Sequence, residues 1–274
     1  MTHYIIELQN VCKTLNHKNI LNNFSVKIPP KSVTYIQGTN GIGKSITLKI
    51  MSQLIKPSKG KLILNGSVSY MPDVFPGNNK VTVDEYLTTV FKIENSRNVK
   101  NIKKILNYYY DELNLNQFKN KELKQLSKGT LQKVNIIQTL LKDADIYILD
   151  EPFNGLDQQT LNNFIHILKK LKTNKTLILT SHEHKISQAL ATHILDLNNA
   201  TYITNSILSE LTVKYIVIPY TSYLPKETLQ YIDVNQTNQN KTILTVKSEY
   251  SNTLLQLLIQ NNHTILEVKE EILC

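Results

Sequence analysis

The sequence predicts an α/β fold built on a parallel sheet, followed by a smaller α/β segment. Three observations lead to that expectation. The apolar run Val33-Thr34-Tyr35-Ile36 passes through a glycine-rich turn into Ile46–Leu54, whose apolar residues recur at helical spacing. Farther on, Ile146-Tyr147-Ile148-Leu149, a helical stretch from Gln158 to Leu171 and Thr176-Leu177-Ile178-Leu179 alternate strand, helix and strand, as parallel β/α units do. After about residue 210 the texture changes to shorter strands with no clustered ionisable groups.

Before the glycine turn, Tyr4–Val11 and Phe24–Ile28 read as short strands, and Pro29-Pro30-Lys31-Ser32 separates the second from the buried strand. Pro57-Ser58-Lys59-Gly60 is a turn, followed by strands Lys61–Leu64 and Val68–Met71 around Asn65-Gly66. From about Val81 to Leu126 the period is helical. Val83, Tyr86, Leu87, Val90 and Phe91 share one face, and Ile102, Ile105, Leu106 and Tyr109 share another. Gln132–Leu141 reads as a further helix. In the last segment, Tyr215–Ile218, Thr242–Val246 and Thr264–Val268 read as strands, Asn252–Gln260 as a helix, and Asn235–Asn240 as a polar loop.

Composition limits the class of molecule. With 274 residues, 41% hydrophobic and 19% charged, the chain can bury a full core. No apolar run approaches the roughly 18 to 20 residues of a membrane span, and the first residues lack the apolar segment of a signal peptide. Two cysteines, Cys12 and Cys274, offer no metal spacing and suggest a reducing, cytoplasmic setting. The formal charge of +9 is spread over scattered lysines. It reads first as a solvated lysine-rich face and second as proximity to an anionic membrane surface; no nucleic acid partner is expected.

The chemistry starts at Gly38-Thr39-Asn40-Gly41-Ile42-Gly43-Lys44-Ser45. A strand, a glycine-rich turn and a helix N-terminus together form a cradle for phosphate, because glycines let successive amide N–H groups converge. Lys44 would reach the β- and γ-phosphates, and the Ser45 hydroxyl would ligate Mg²⁺. At the carboxyl end of Ile146–Leu149 stand Asp150, suited to a Mg²⁺ shell, and Glu151, suited to polarising an attacking water. In parallel sheets ligands bind beyond the carboxyl ends of the strands, where Ser181-His182 also falls. His182-Glu183-His184 lacks a third ligand nearby and does not read as a metal site.

Leu126-Ser127-Lys128-Gly129-Thr130 resembles the LSGGQ signature of ATP-binding cassette (ABC) ATPases, and it stands about twenty residues before Asp150. Asp150-Glu151-Pro152-Phe153-Asn154-Gly155-Leu156-Asp157 looks like that family's Walker B segment running into its D-loop, and Thr180-Ser181-His182 like its switch histidine. The four motifs cover roughly residues 1–205. The resemblance implies a P-loop NTPase cassette with an N-terminal β subdomain, a RecA-like parallel core and a helical subdomain at about 81–142. The cassette would occupy 1–210, and 211–274 would be a small C-terminal α/β domain. It further implies a head-to-tail pair of cassettes with ATP sandwiched between them. Ser127 and Gly129 of one would close on the nucleotide held by Gly38–Ser45 of the other, with Asp157 nearby. Glu151 would be general base, and His182 would position the γ-phosphate and water.

Five positions depart from the family pattern. Leu15 stands where an aromatic usually stacks on adenine, leaving only apolar contact unless Tyr4 or another nearby group substitutes. Ile46 replaces a second phosphate-loop hydroxyl. Asp73 replaces the Q-loop glutamine; it can ligate Mg²⁺ but adds negative charge beside the phosphates. Lys128 and Thr130 alter the signature. All the groups that would perform chemistry remain, so an active ATPase is expected. The resemblance is to the nucleotide-binding subunits of bacterial exporters with separate permease chains. Such a subunit would be peripheral on the cytoplasmic face of the membrane. The alternative is a soluble ABC ATPase uncoupled from transport, such as a cofactor-assembly or regulatory ATPase.

Overall fold

The computed structural model describes residues 4–94, 101–204 and 212–272, apart from 222, 233, 238, 239, 248 and 249. Cys274 and the expected boundary at 210/211 lie outside the described residues. The chain divides into two compact units, one within Met1–Glu183 and Thr192–Thr204, the other within His184–Ala191 and Asn205–Cys274. Residues 184–191, expected within the cassette, thus group with the second unit.

The first unit opens with β1 (Ile6–Leu15) and β2 (Lys18–Ile28), an antiparallel hairpin in register Ile6↔Ile28 through Leu15↔Lys18. Both strands are longer than their apolar alternation suggested. Asn16 and His17 take positive φ (46° and 60°), the conformation of a two-residue hairpin turn, and so carry the pairing to the tip. β4 (Lys59–Leu64) pairs with the other edge of β1.

The main sheet runs β5-β6-β7-β3-β8-β9, from β3 (Val33–Gln37), β5 (Val68–Met71), β6 (Ile146–Leu149), β7 (Thr176–Leu179), β8 (His193–Asp196) and β9 (Thr201–Thr204). All pairs are parallel except β8–β9. β6 and β7 are buried at every residue, as parallel strands covered on both faces must be, which is why they read as unbroken apolar runs. β8 and β9 are absent from the sequence expectations. They are four-residue strands interrupted by Thr, His and Asp, too short for a clear period.

α1 (Lys44–Met51) leaves the glycine turn, and Thr47, Leu48, Ile50 and Met51 bury one side of it. The region expected to be helical contains α2 (Val83–Glu94) and α3 (Ile102–Glu112), with the stretch between them outside the described residues. Tyr110, rather than Tyr109, is the tyrosine fully buried there. Its hydroxyl donates to Asp84 Oδ1 (3.0 Å), and Lys119 Nζ stands 4.4 Å from its ring centroid. α4 (Lys128–Leu140) begins four residues earlier than its apolar period suggested, because Ser127 caps it. α5 (Gln158–Leu171) is capped in the same way by Asp157.

The second unit contains α6 (His184–Leu190) and a four-stranded antiparallel sheet, β11-β12-β10-β13. Its strands are β10 (Thr212–Pro219), β11 (Val234–Thr237), β12 (Lys241–Lys247) and β13 (Glu267–Ile272). α7 (Lys226–Leu229) and α8 (Ser251–Gln260) complete it, with Leu254 and Leu258 of α8 in a cluster with Ile216, Ile218, Leu244 and Val246. Part of the expected polar loop, Asn235–Thr237, is in fact edge strand β11, pairing with β12.

Ile148 sits at the centre of β6, fully buried, two residues before Asp150. Ile148→Ala should lower the free energy of unfolding by about 2–5 kcal/mol, as a large-to-small change in a close-packed core does. Chemical denaturation measures it, and a loss well under about 1 kcal/mol would contradict this placement.

Candidate nucleotide site

β3 ends at Gln37, and the chain turns through Gly38, Gly41 and Gly43 at φ of 153°, 80° and 118°. At Gly43 a Cβ would collide with the Ile20 side chain of β2, so the turn needs glycine for space as well as for φ. At Gly41 a Cβ would meet nothing, so the backbone there is open to a ligand. The first helical bond of α1 runs from Thr47 N to Gly43 O (2.8 Å). The amides of Lys44, Ser45 and Ile46 precede it and lack an intrahelical acceptor, which makes the helix N-terminus an anion site. Lys44 Nζ lies along the loop, donating to Gly38 O (2.8 Å) and Thr39 O (3.3 Å). Ser45 is exposed and Asn40 stands at the open rim. Ile42 and Ile46 pack their side chains against the core, so any phosphate contact from Ile46 comes from its amide.

The next strand ends bring the acids. Asp150, only 2% exposed, accepts from Thr180 Oγ1 (2.8 Å) and, more weakly, from Tyr70 Oη (3.4 Å). Glu151 has a left-handed backbone (φ 51°). Its amide donates to Thr180 Oγ1 (3.2 Å), its carbonyl accepts from Gln132 Nε2 (3.0 Å), and its Oε2 accepts from the His182 amide (2.9 Å). His182 Nε2 stands 3.7 Å from Glu151 Oε1 on a side chain that is 57% exposed. Burial pushes the Glu151 carboxyl above its ordinary value, and Asp150 and Asp73 add to that. The His182 amide and ring act in the opposite direction. Burial and the nearby acids Asp150 and Asp73 likewise raise the Tyr70 phenol, and burial with Glu151 pushes Tyr35 up to about 12. Asp73 follows β5, close enough for its charge to act on both Glu151 and Tyr70, and Asn135 of α4 anchors that turn by donating to Pro72 O (2.7 Å).

These groups fit a hard cation. Asp150 is a buried carboxylate, and among the described residues no lysine or arginine forms an ion pair with it. A charge so buried calls for a counter-ion. Among the described residues no three His, Cys, Asp or Glu could hold a metal by themselves. A buried carboxylate such as Asp150 would suit Mg²⁺, which takes one or two carboxylates and completes its shell with substrate phosphates and water.

Ser127 caps α4 and is exposed; its Oγ lies 3.3 Å from Thr130 N and 2.9 Å from Thr130 Oγ1. Gly129 packs so closely on Gly155 that a Cβ would land on the Gly155 carbonyl oxygen. Asp157 accepts from Lys133 Nζ (2.7 Å) and from Thr160 N and Oγ1 (2.9 Å each), with Lys133 the first cause of its lowered pKa. Its carboxylate is thus engaged within its own chain. Among the described residues no hydrogen bond joins Ser127–Thr130 to Gly38–Ile46.

A family model described as ABC transporter matches residues 21–154. The zinc import ATP-binding protein ZnuC of Rickettsia conorii is 32% identical over 186 residues, spanning 65% of this chain and 76% of that protein. An ABC transporter ATP-binding protein of Methanocaldococcus jannaschii is 29% identical over 219 residues, spanning 78% of this chain and 82% of that protein. The chain belongs to the ABC transporter ATP-binding family. Its fold is shared by a cassette solved as a dimer after hydrolysis with ADP and Pi, at TM-score 0.64 and 22% identity over 73% of this chain and 98% of that one. Membership of this family makes the chain an ATP-binding subunit and an ATPase. The expectation of an exporter finds no support among these relatives, which include proteins named for zinc import. Among the described residues no helix is long and apolar enough to cross a membrane.

Leu15 lies at the hairpin tip, 38% exposed, and the hairpin meets the phosphate loop through Ile20 against Gly43. Tyr4 precedes the opposite end of β1, under Lys27 Nζ at 5.5 Å. Ten residues of strand, roughly 30 Å, separate it from the tip, so it cannot substitute for Leu15. Sequence reasoning also missed Asn198, whose Oδ1 accepts from Thr39 N (3.3 Å) and Thr39 Oγ1 (3.0 Å) and so pins the cassette's phosphate loop to the β8–β9 turn. Thr180 was visible only as part of a motif, and Gln132 and Lys133 only as helix.

Glu151 must be ionised to take a proton, and its pKa is raised above the usual 4.5. If Glu151 is the general base, the acid limb of kcat for ATP hydrolysis should fall above pH 4.5, with activity lost as pH drops through the raised value. A limb at or below 4.5 in a stopped assay would remove Glu151 from this role.

Proposed function

We propose that this cassette is the hydrolysing subunit of a transporter whose membrane-spanning subunits are separate chains, and that it works in a head-to-tail pair with a second cassette. The observation that supports it most is the convergence, at the carboxyl edge of one parallel sheet, of Gly38–Ile46, Asp150, Glu151 and His182, while Ser127 and Gly129 lie at a capped helix end bonded to no part of that loop among the described residues. A site split in this way would be completed by a second cassette, another copy of this chain or a related one.

In this reading the phosphates lie on the amides of Gly43–Ile46, and Lys44 Nζ turns from the Gly38 and Thr39 carbonyls to the β- and γ-oxygens. The Ser45 hydroxyl and Asp150, together with Asp73, would hold Mg²⁺, which would neutralise charge on the phosphate oxygens. Glu151 accepts a proton from water as its oxygen attacks the γ-phosphorus and ADP leaves. His182, beside the Glu151 carboxylate, orients that water and the γ-phosphate. Ser127 Oγ and the α4 N-terminus approach the partner's γ-phosphate, and Asp157 shapes the same interface through its cap rather than by touching nucleotide. Leu15 lies against the base. Export finds no support among the relatives, so transport direction is no part of the proposal.

Glu151→Gln should reduce ATP turnover by at least about a hundredfold and accumulate an ATP-bound dimer in size-exclusion chromatography. Unchanged turnover would take Glu151 out of the mechanism. Mild-detergent purification of the tagged chain from its native cells should bring down a polytopic membrane protein. Recovery from the soluble fraction alone would favour an uncoupled ABC ATPase.

A further inference from the structure

Gly129, Gln132 and Lys133 occupy positions i, i+3 and i+4 of α4, one face of the helix. All three meet the segment that leaves β6. Gly129 lies on the Gly155 carbonyl, Gln132 Nε2 donates to Glu151 O (3.0 Å), and Lys133 Nζ binds the Asp157 carboxylate (2.7 Å). The middle contact is buried, with Gln132 5% exposed, and it acts on the one acid of this segment with a left-handed backbone. A glutamate at φ 51° is held in a sparsely populated region that persists only when its surroundings over-determine it. Thr180 Oγ1 fixes the Glu151 amide, the His182 amide fixes its carboxylate, and Asn154 N approaches the Glu151 carbonyl only weakly, at 3.4 Å.

We propose that Gln132 is a positioning residue for Glu151. Its amide holds the Glu151 carbonyl so that the backbone stays left-handed and the carboxylate stays beside His182. The same bond fastens Glu151 to the helix whose first turn carries Ser127 and Gly129, so the signature end and the catalytic acid move as one piece. The inference rests on the reading in which Glu151 activates water.

The test compares the full-length wild type with Gln132→Met, Gln132→Glu and Glu151→Gln for ATP hydrolysis, binding of a fluorescent ATP analogue, and thermal melting. Met retains the length of Gln without the donor. We expect Gln132→Met to bind nucleotide within about twofold of wild type, while kcat falls at least about tenfold, the scale on which small misplacement of a reacting group acts. In Gln132→Glu the introduced carboxyl, its pKa raised by burial, regains an O–H donor when protonated. The ratio of Gln132→Glu to wild-type kcat should therefore rise as pH falls, a recovery that a purely structural role would not produce. Wild-type kcat in a folded Gln132→Met protein, a loss of kcat matched by an equal loss of nucleotide binding, or a pH-independent Gln132→Glu ratio would each overturn the proposal. If Gln132→Met fails to fold, the Gln132→Glu ratio decides. Full turnover by Glu151→Gln sinks the underlying reading instead, whereas an inactive Glu151→Gln beside a fully active Gln132→Met sinks only this inference.

Discussion

Asp150 and Glu151 are adjacent carboxylates, both largely buried at the end of one strand, and the proposed reaction gives them different tasks. An extended chain would send consecutive side chains to opposite faces of the sheet, one of them into the core. The left-handed turn at Glu151 breaks that alternation. It leaves Asp150 within reach of the Thr180 and Tyr70 hydroxyls, and it swings Glu151 to the His182 amide. One hydroxyl, Thr180 Oγ1, donates to the first carboxylate and accepts from the amide of the second, so β7 sets the spacing of both. The rest of the site is arranged around this strained pair.

The electrostatic cost explains why the neighbourhood is so constrained. Burial, with Asp150 and Asp73 close by, disfavours ionisation of Glu151, and its pKa rises accordingly. A base with a raised pKa is a better proton acceptor near neutral pH, so the same crowding that costs folding energy suits the proposed reaction. Asp157 shows the opposite arrangement. It bonds to Lys133 and caps α5, its pKa is depressed, and it stays ionised as structure rather than as a reagent.

The parallel core was legible in the sequence because its strands are buried on both faces and so appear as plain apolar runs. The phosphate loop and the Asp150-Glu151 pair were legible because glycine spacing and strand-end acids are local features. What could not be read was set by partners distant in sequence. Asn198 lies 159 positions from Thr39, Gln132 lies 19 from Glu151, and neither has a local pattern that marks it. The hairpin tip was missed for a different reason. Asn16 and His17 hold positive φ without glycine, so the usual turn signal was lacking and both strands were read short. Strands β8 and β9 were missed because four residues with polar interruptions carry no period.

Placing Leu15 and Tyr4 at opposite ends of β1 changes the expectation for the base. The hairpin tip reaches the phosphate loop through Ile20, and the side chains exposed around it are Thr14, Leu15, Asn16, His17, Lys18 and Asn19. Apolar contact from Leu15 covers part of a purine face but gives neither the stacking geometry of an aromatic ring nor a hydrogen bond to the base edge. In the proposed site any directional contact to the base would have to come from the polar side chains of the tip, whereas the phosphates would meet the Gly43–Ile46 amides, Lys44, Ser45 and, in the proposed pair, Ser127. Such a site would hold the triphosphate more firmly than the base, because the α1 amides are donors fixed by the fold whereas the tip side chains are exposed.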